Sequence, residues 1–150
     1  MELILWRHAE AEDGFPDEER ALTPQGIAQA EKMAAWLKAH MPKDIKILVS
    51  PAKRAQQTAS ALNLPFTTVN ELAPGASAQT LLSLANWDTT KGAVLIVGHQ
   101  PSLGMTAAIA MTRKTHYWCV KKGAIWWLAS RIRAEEEQAI IRAVITPDML

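Results

Sequence analysis

The sequence predicts an α/β fold in three layers, with helices on both faces of a mostly parallel sheet of about six strands, one of them antiparallel. Three observations predict it. Apolar runs of strand length alternate with segments whose apolar residues recur every three or four positions, and such alternation requires crossover connections between parallel strands. Two helical segments open on a hydroxyl residue followed by proline, Thr23-Pro24 and Ser50-Pro51, which marks where a chain leaves a strand or loop and begins to coil. The last two strand candidates have no helix between them, so they are expected to pair antiparallel.

Residues 3–6 form a continuous apolar run ending at Arg7 and His8, the pattern of a strand buried on both faces. The polar stretch 10–20, with Gly14 and Pro16, reads as a loop. In the helix that Thr23 caps, Ile27, Ala30, Met33, Ala34, Leu37 and Met41 form one apolar stripe, and Pro42 stops it. Residues 45–49 are the second strand, followed by a helix from Ser50-Pro51 to about Leu62. A short strand is expected at 66–69, a loop at 71–75, and a helix capped by Ser77 and carrying Leu81, Leu82, Leu84 and Ala85. Residues 93–97 are a buried strand that runs into Gly98-His99-Gln100-Pro101-Ser102 and a small-residue helix to about Met111. A basic loop then precedes strands at 124–129 and 138–144, with residues 135–137 in the turn between them.

The bulk properties narrow the function classes. At 150 residues and 49% hydrophobic, the chain fits one domain, residues 1–150. Its 16 basic and 15 acidic residues give a net charge of +1, so no overall field draws it to nucleic acid or an anionic membrane. No stretch approaches the ~20 apolar residues that span a bilayer, and the N-terminal apolar run is too short for a secretory signal. A cytoplasmic monomer is the expectation. The one cysteine, Cys119, excludes an internal disulfide and is expected as a small buried hydrophobe.

In parallel sheets ligands bind beyond the carboxyl ends of the strands, so the residues that follow each strand are the informative ones. Arg7 and His8 follow the first, Ser50 and then Arg54 the second, Glu71 the third, and Gly98 and His99 the fourth. Guanidiniums offer rigid donor forks suited to phosphate oxygens, and the helices beginning after Ser50 and near Pro101 are expected to add free N–H groups. A neutral imidazole is a competent nucleophile, and arginines beside His8 would hold its pKa below the ordinary ~6.5.

Those residues sit in recognisable segments. Arg7-His8-Ala9-Glu10 resembles the Arg-His-Gly signature of the histidine phosphatase superfamily, which includes phosphoglycerate mutases and acid phosphatases. Leu22-Thr23-Pro24-Gln25-Gly26 resembles its Leu-Thr-x-x-Gly helix entry, residues 50–59 its Ser-Pro-x-x-Arg-x-x-x-Thr-Ala segment, and Gly98-His99-Gln100-Pro101 its Gly-His-x-Pro segment. Ala9 replaces the usual glycine. The small size and Glu71-Leu72-x-Pro74-x-Ala76 are most similar to SixA-type phosphohistidine phosphatases.

The resemblance implies a phosphoglycerate mutase-like fold without a cap insertion, and phosphoryl transfer without metal or cofactor. It implies that His8 attacks phosphorus, that Arg7, Arg54 and His99 hold the oxygens, and that water then releases phosphate. Arg20 and Ser50 are further candidate substrate contacts. Glu71 occupies the place of the family's proton donor, with Glu10 or solvent as alternatives. The substrate expected is a phosphorylated protein, such as a phosphotransfer domain carrying phosphohistidine. A small phosphate ester or a catalytically silent anion-binding domain are the alternatives, and a mutase is disfavoured because the chain is too short to enclose a retained product.

Other residues receive plainer readings. A divalent metal fits poorly beside Arg7 and Arg54 and without close ligand spacing. His40 is expected to serve its helix C-terminus, His116 the surface, and the six tryptophans the core rather than base stacking. Arg113, Lys114, Lys121 and Lys122 read as a solvated basic surface.

Overall fold

A computed structural model describes all residues except 88 and 90. Its sheet has six strands, β1 (Glu2–Arg7), β2 (Lys46–Val49), β3 (Thr67–Thr68), β4 (Ala93–Gly98), β5 (Ile125–Arg133) and β6 (Glu136–Ile145), in the order β3-β2-β4-β1-β5-β6. The first four strands run parallel, and β5 is antiparallel to both β1 and β6. Four helices connect them: α1 (Pro24–His40), α2 (Lys53–Ser60), α3 (Ala78–Ala85) and α4 (Ser102–Thr112).

The uninterrupted apolar runs of β1 and β4 follow from burial on both sides. Leu3 and Leu5 of β1 and Val94 and Ile96 of β4 pack with Leu81 and Ala85 of α3 and with Leu103 and Ala107 of α4. Ile4, Trp6, Leu95 and Val97 face the other way, against Met33, Ala34 and Leu37 of α1 and Ala55 and Ala59 of α2. Because strand side chains alternate, each apolar run serves two cores, which gives the three layers. Trp6 is fully buried, as the core reading required, and its indole N–H donates to the Gly123 carbonyl at 3.1 Å.

Several boundaries differ from the expectation. Ser50 does not cap α2: the helix begins two residues past Pro51, and the Ser50 hydroxyl accepts from the Ala52 amide instead. The third strand shrinks to two residues at the sheet edge, and Asn70–Leu72 form a 3-10 turn rather than open loop. The turn between β5 and β6 is Ala134-Glu135, both at positive φ, so Glu136 and Glu137 belong to the strand. On α1, Ile27 is 45% exposed while Gly26 takes the buried position, because the chain of residue 10 crosses there. Cys119 is exposed, since the buried member of its irregular segment is Val120.

That segment is held by a close backbone approach. A Cβ on Gly104 of α4 would lie 1.7 Å from the Trp118 carbonyl oxygen, and Gln100 ties the same carbonyl through its side-chain amide at 2.8 Å. Gly104→Ala must therefore push the 118–120 backbone away from α4. The expected cost is about 1–3 kcal/mol, a fall in melting temperature of roughly 2–4 °C per kcal/mol for a chain of this size. Thermal unfolding checks this, and an unchanged melting temperature contradicts the packing described.

Candidate active site

Strand register brings the candidate residues into one row. Arg7 pairs with Gly98 and Val49 with Val97, so β1, β4 and β2 end at the same level. The ladder continues one step beyond the strands, with the His8 amide donating to the Gly98 carbonyl and the Ser50 amide to the Val97 carbonyl, each at 3.1 Å. His8, His99 and Ser50 thus emerge side by side, and the two imidazole centroids are 5.2 Å apart.

Segment 50–59 is a set of ties between this row and the loop after β1. Thr58 accepts from the Ala9 amide at 3.1 Å and donates to the Arg54 carbonyl at 2.7 Å, and Gln57 accepts from the Leu22 amide at 2.7 Å. Ala9 is fully buried against Leu22 and Ala30, so its methyl group fills space that a glycine would leave. Thr23 caps α1 through the Gly26 amide at 2.9 Å and donates its own hydroxyl proton to the Glu10 carboxylate at 2.7 Å.

Hydrogen bonding fixes the imidazole tautomers. His8 Nδ1 lies 2.7 Å from the Ala9 carbonyl oxygen, which can only accept, so Nδ1 carries the proton and Nε2 keeps its lone pair. His99 Nε2 lies 2.7 Å from Ser50 Oγ. That hydroxyl already accepts from Ala52 and has no other acceptor among the described residues, so it donates to Nε2 and the His99 proton sits on Nδ1. One ring therefore presents a lone pair and the other an N–H.

The arginines complete the set. Arg7 Nη1 donates to the Val120 carbonyl at 2.8 Å, and Arg54 donates to the Asp17 carbonyl at 2.7 Å and to its carboxylate at 3.0 Å. Among the described residues, four buried side-chain polar atoms lack a partner within the protein, and three are Arg7 Nε, Arg54 Nε and His99 Nδ1. Buried donors are costly unless something accepts from them. Three such donors near a bare imidazole nitrogen have the chemistry to receive an oxyanion.

The remaining candidates fall differently. Arg20 joins the edge of this group, donating to Asp17 Oδ1 at 3.0 Å and to the Glu12 carbonyl at 2.8 Å. Ser50 acts on His99 rather than standing free as a substrate contact. Glu71 is exposed on its 3-10 turn, with no hydrogen bond or ion pair to the arginines or imidazoles, and Glu10 is held at the α1 cap. The start of α4 adds fewer donors than expected, because the amides of Leu103 and Gly104 bond to the His99 carbonyl and the Gln100 side chain. Asp17 escaped the sequence reading: its signal was the three-residue spacing to Arg20, unremarkable in a loop with many acidic residues.

A cavity of about 610 Å³, bordered by Leu82, Trp87, Ile109 and Gln138, contains none of these groups. Chemistry rather than concavity marks the site. No group of three or more His, Cys, Asp and Glu side chains among the described residues is arranged to hold a metal ion. No helix among them is long and apolar enough to cross a membrane.

Comparison with known proteins shows the family. Residues 3–74 match the family model of the histidine phosphatase superfamily (branch 1). The phosphohistidine phosphatase SixA of Escherichia coli strain K12 is 32% identical over 117 residues, covering 72% of this chain and 73% of that protein. The chain belongs to the histidine phosphatase superfamily. The SixA homolog of Haemophilus influenzae is 32% identical over 124 residues, covering 72% of this chain and 76% of the homolog. The solved structure of the protein histidine phosphatase SixA complexed with tungstate superposes with a TM-score of 0.80 at 27% identity, covering 99% of both chains. The fold is that of SixA-like, phosphoglycerate mutase-like proteins, and the chain is a phosphatase of that superfamily.

Burial keeps both imidazoles neutral. It lowers the His8 pKa from 6.5 to about 4, with Arg54, Arg7 and Arg20 adding to the effect and the Ala9 carbonyl opposing it. It lowers that of His99 to about 3, with His8 and Arg54 adding to it and Asp17 opposing. An unfolded chain would take up protons on these rings near pH 6.5, whereas the folded chain resists until about pH 4 or below. The resulting stability is present above pH 6.5 and is lost as pH falls, on the order of 1 kcal/mol per pH unit for each ring. Urea unfolding at pH 7, 6 and 5 should show this slope, and His8→Asn should remove roughly half of the histidine contribution. An identical slope in the variant contradicts the neutral buried ring.

Proposed function

We propose that this phosphatase hydrolyses phosphohistidine on a protein, through a covalent phosphohistidine formed on His8. The observation that carries the reading is the pairing of a bare Nε2 on His8 with three unpartnered buried donors from Arg7, Arg54 and His99. Similarity to proteins named phosphohistidine phosphatase over about three quarters of their length supports the substrate class. So does the position of the row at the open end of the sheet, with no helical insertion between β1 and β4 beyond the connections already described. A side chain projecting from a partner protein can reach such a site.

In the first step Nε2 of His8 attacks phosphorus in line with the bond to the substrate imidazole. The new N–P bond forms as the old one breaks, and the released electron pair returns to the substrate ring, which takes a proton from water. Arg7, Arg54 and His99 donate to the three equatorial oxygens, whose charge the transition state spreads outward. In the second step water attacks phosphorus on the opposite side, inorganic phosphate departs with the water's oxygen, and His8 regains its neutral form. An imidazole leaving group accepts a proton readily from solvent, which accords with the exposed position of Glu71 and the engaged carboxylate of Glu10. No metal or cofactor enters these steps.

Acid-labile, base-stable labelling with a radiolabelled phosphohistidine protein tests the intermediate. His8→Ala should form no labelled enzyme and should lose at least about a thousandfold in turnover. Retained label contradicts the nucleophile. A panel of phosphohistidine protein, phosphoramidate and sugar phosphates tests the substrate class: the protein should turn over fastest, and faster hydrolysis of a sugar phosphate would favour a small-ester phosphatase.

A further inference from the structure

Arg54 is only 4% exposed. A guanidinium that has given up its water needs acceptors from the protein, and losing one leaves charge uncompensated. Asp17 supplies the acceptors for both of its terminal nitrogens, the backbone carbonyl for Nη1 at 2.7 Å and carboxylate Oδ2 for Nη2 at 3.0 Å. Those two nitrogens make up the end-on edge of the guanidinium. The edge left over is the lateral one, made by Nε–H and the second proton of Nη2, and Nε is buried without a partner. A planar guanidinium engages phosphoryl oxygens through one edge at a time, so whatever occupies the end-on edge decides which edge is offered.

The other carboxylate oxygen, Oδ1, accepts from Arg20 Nη1 at 3.0 Å. One carboxylate thus links the two arginines, and Arg20 is steadied from its far side by the Glu12 carbonyl. The bonds from Arg20 and then Arg54 hold the Asp17 carboxyl below the usual carboxylate range, so it stays ionised at neutral pH. We propose that Asp17 is a positioning residue: by accepting from the end-on edge of Arg54 and from Arg20, it turns the lateral edge of Arg54 toward the phosphoryl group without touching substrate. This rests on the phosphatase reading of the site, but its test reads binding rather than turnover.

Two competing roles make different predictions. On Coulomb attraction alone a carboxylate beside an anion site is an obstacle, and removing its charge would tighten phosphate. A role confined to stability would appear in the melting temperature and leave anion affinity alone. The decisive variant is Asp17→Asn, because an amide has one acceptor oxygen and must set its NH2 group against the other guanidinium. Calorimetric titration with inorganic phosphate compares wild type, Asp17→Asn and Asp17→Glu. Asp17→Asn is expected to bind phosphate about tenfold more weakly, with its melting temperature within a few degrees of wild type, since the Asp17 side chain is 53% exposed. Asp17→Glu, which keeps both acceptors, is expected to recover part of the loss. Phosphate affinity in Asp17→Asn equal to or tighter than wild type overturns the proposal, as does Asp17→Glu binding no better than Asp17→Asn. A wild type that binds phosphate yet hydrolyses no phosphorylated compound would end the phosphatase reading while leaving this comparison intact.

Discussion

The short hydrogen bond from His8 Nδ1 to the carbonyl of Ala9 is the constraint on which the site depends. It assigns the ring proton to the nitrogen that faces the backbone and leaves the other nitrogen with a lone pair. The bond alone would also stabilise the doubly protonated ring, and it does push the pKa upward; burial and three guanidiniums outweigh it. The same cations suit a dianion and disfavour an imidazolium, so in the proposed reaction one charge arrangement both readies the nucleophile and receives the phosphoryl group.

Concentrating cations beside a buried ring is unfavourable unless the scaffold absorbs it. Here backbone carbonyls do much of that work, Val120 for Arg7 and Asp17 for Arg54, because a carbonyl steadies a guanidinium without cancelling its charge. The carbonyls are in turn held by distant features. Val120 sits in the segment that the bare Cα of Gly104 allows against α4, and Asp17 in the 3-10 turn that Arg54 itself anchors. Packing far from the imidazoles thus reaches the two arginines within one or two contacts.

Much of this was legible in the residues, and the gaps have physical causes. The strands at 3–6 and 93–97 were readable because a strand buried on both faces has no polar alternation to confuse with anything else, and their ends delivered Arg7, His8 and His99 to one edge. The hairpin turn was misplaced because Ala134 and Glu135 occupy positive φ without the glycine or asparagine that normally announces it. Ser50-Pro51 carried a capping signal, yet the hydroxyl is engaged with His99, a contact set by strand register across about fifty residues and invisible to local pattern. Asp17 was illegible for the same reason, since its meaning comes from Arg54 in a helix that begins far along the chain.

The chemistry of the site turns on the state of one ring nitrogen. Nitrogen-15 NMR of the histidine side chains at pH 7, with His8 assigned by substitution, reads it directly. The expected spectrum is that of a neutral His8 ring protonated on Nδ1, with Nε2 showing the shift of an unprotonated nitrogen. A proton on Nε2, or a doubly protonated ring at that pH, would contradict it.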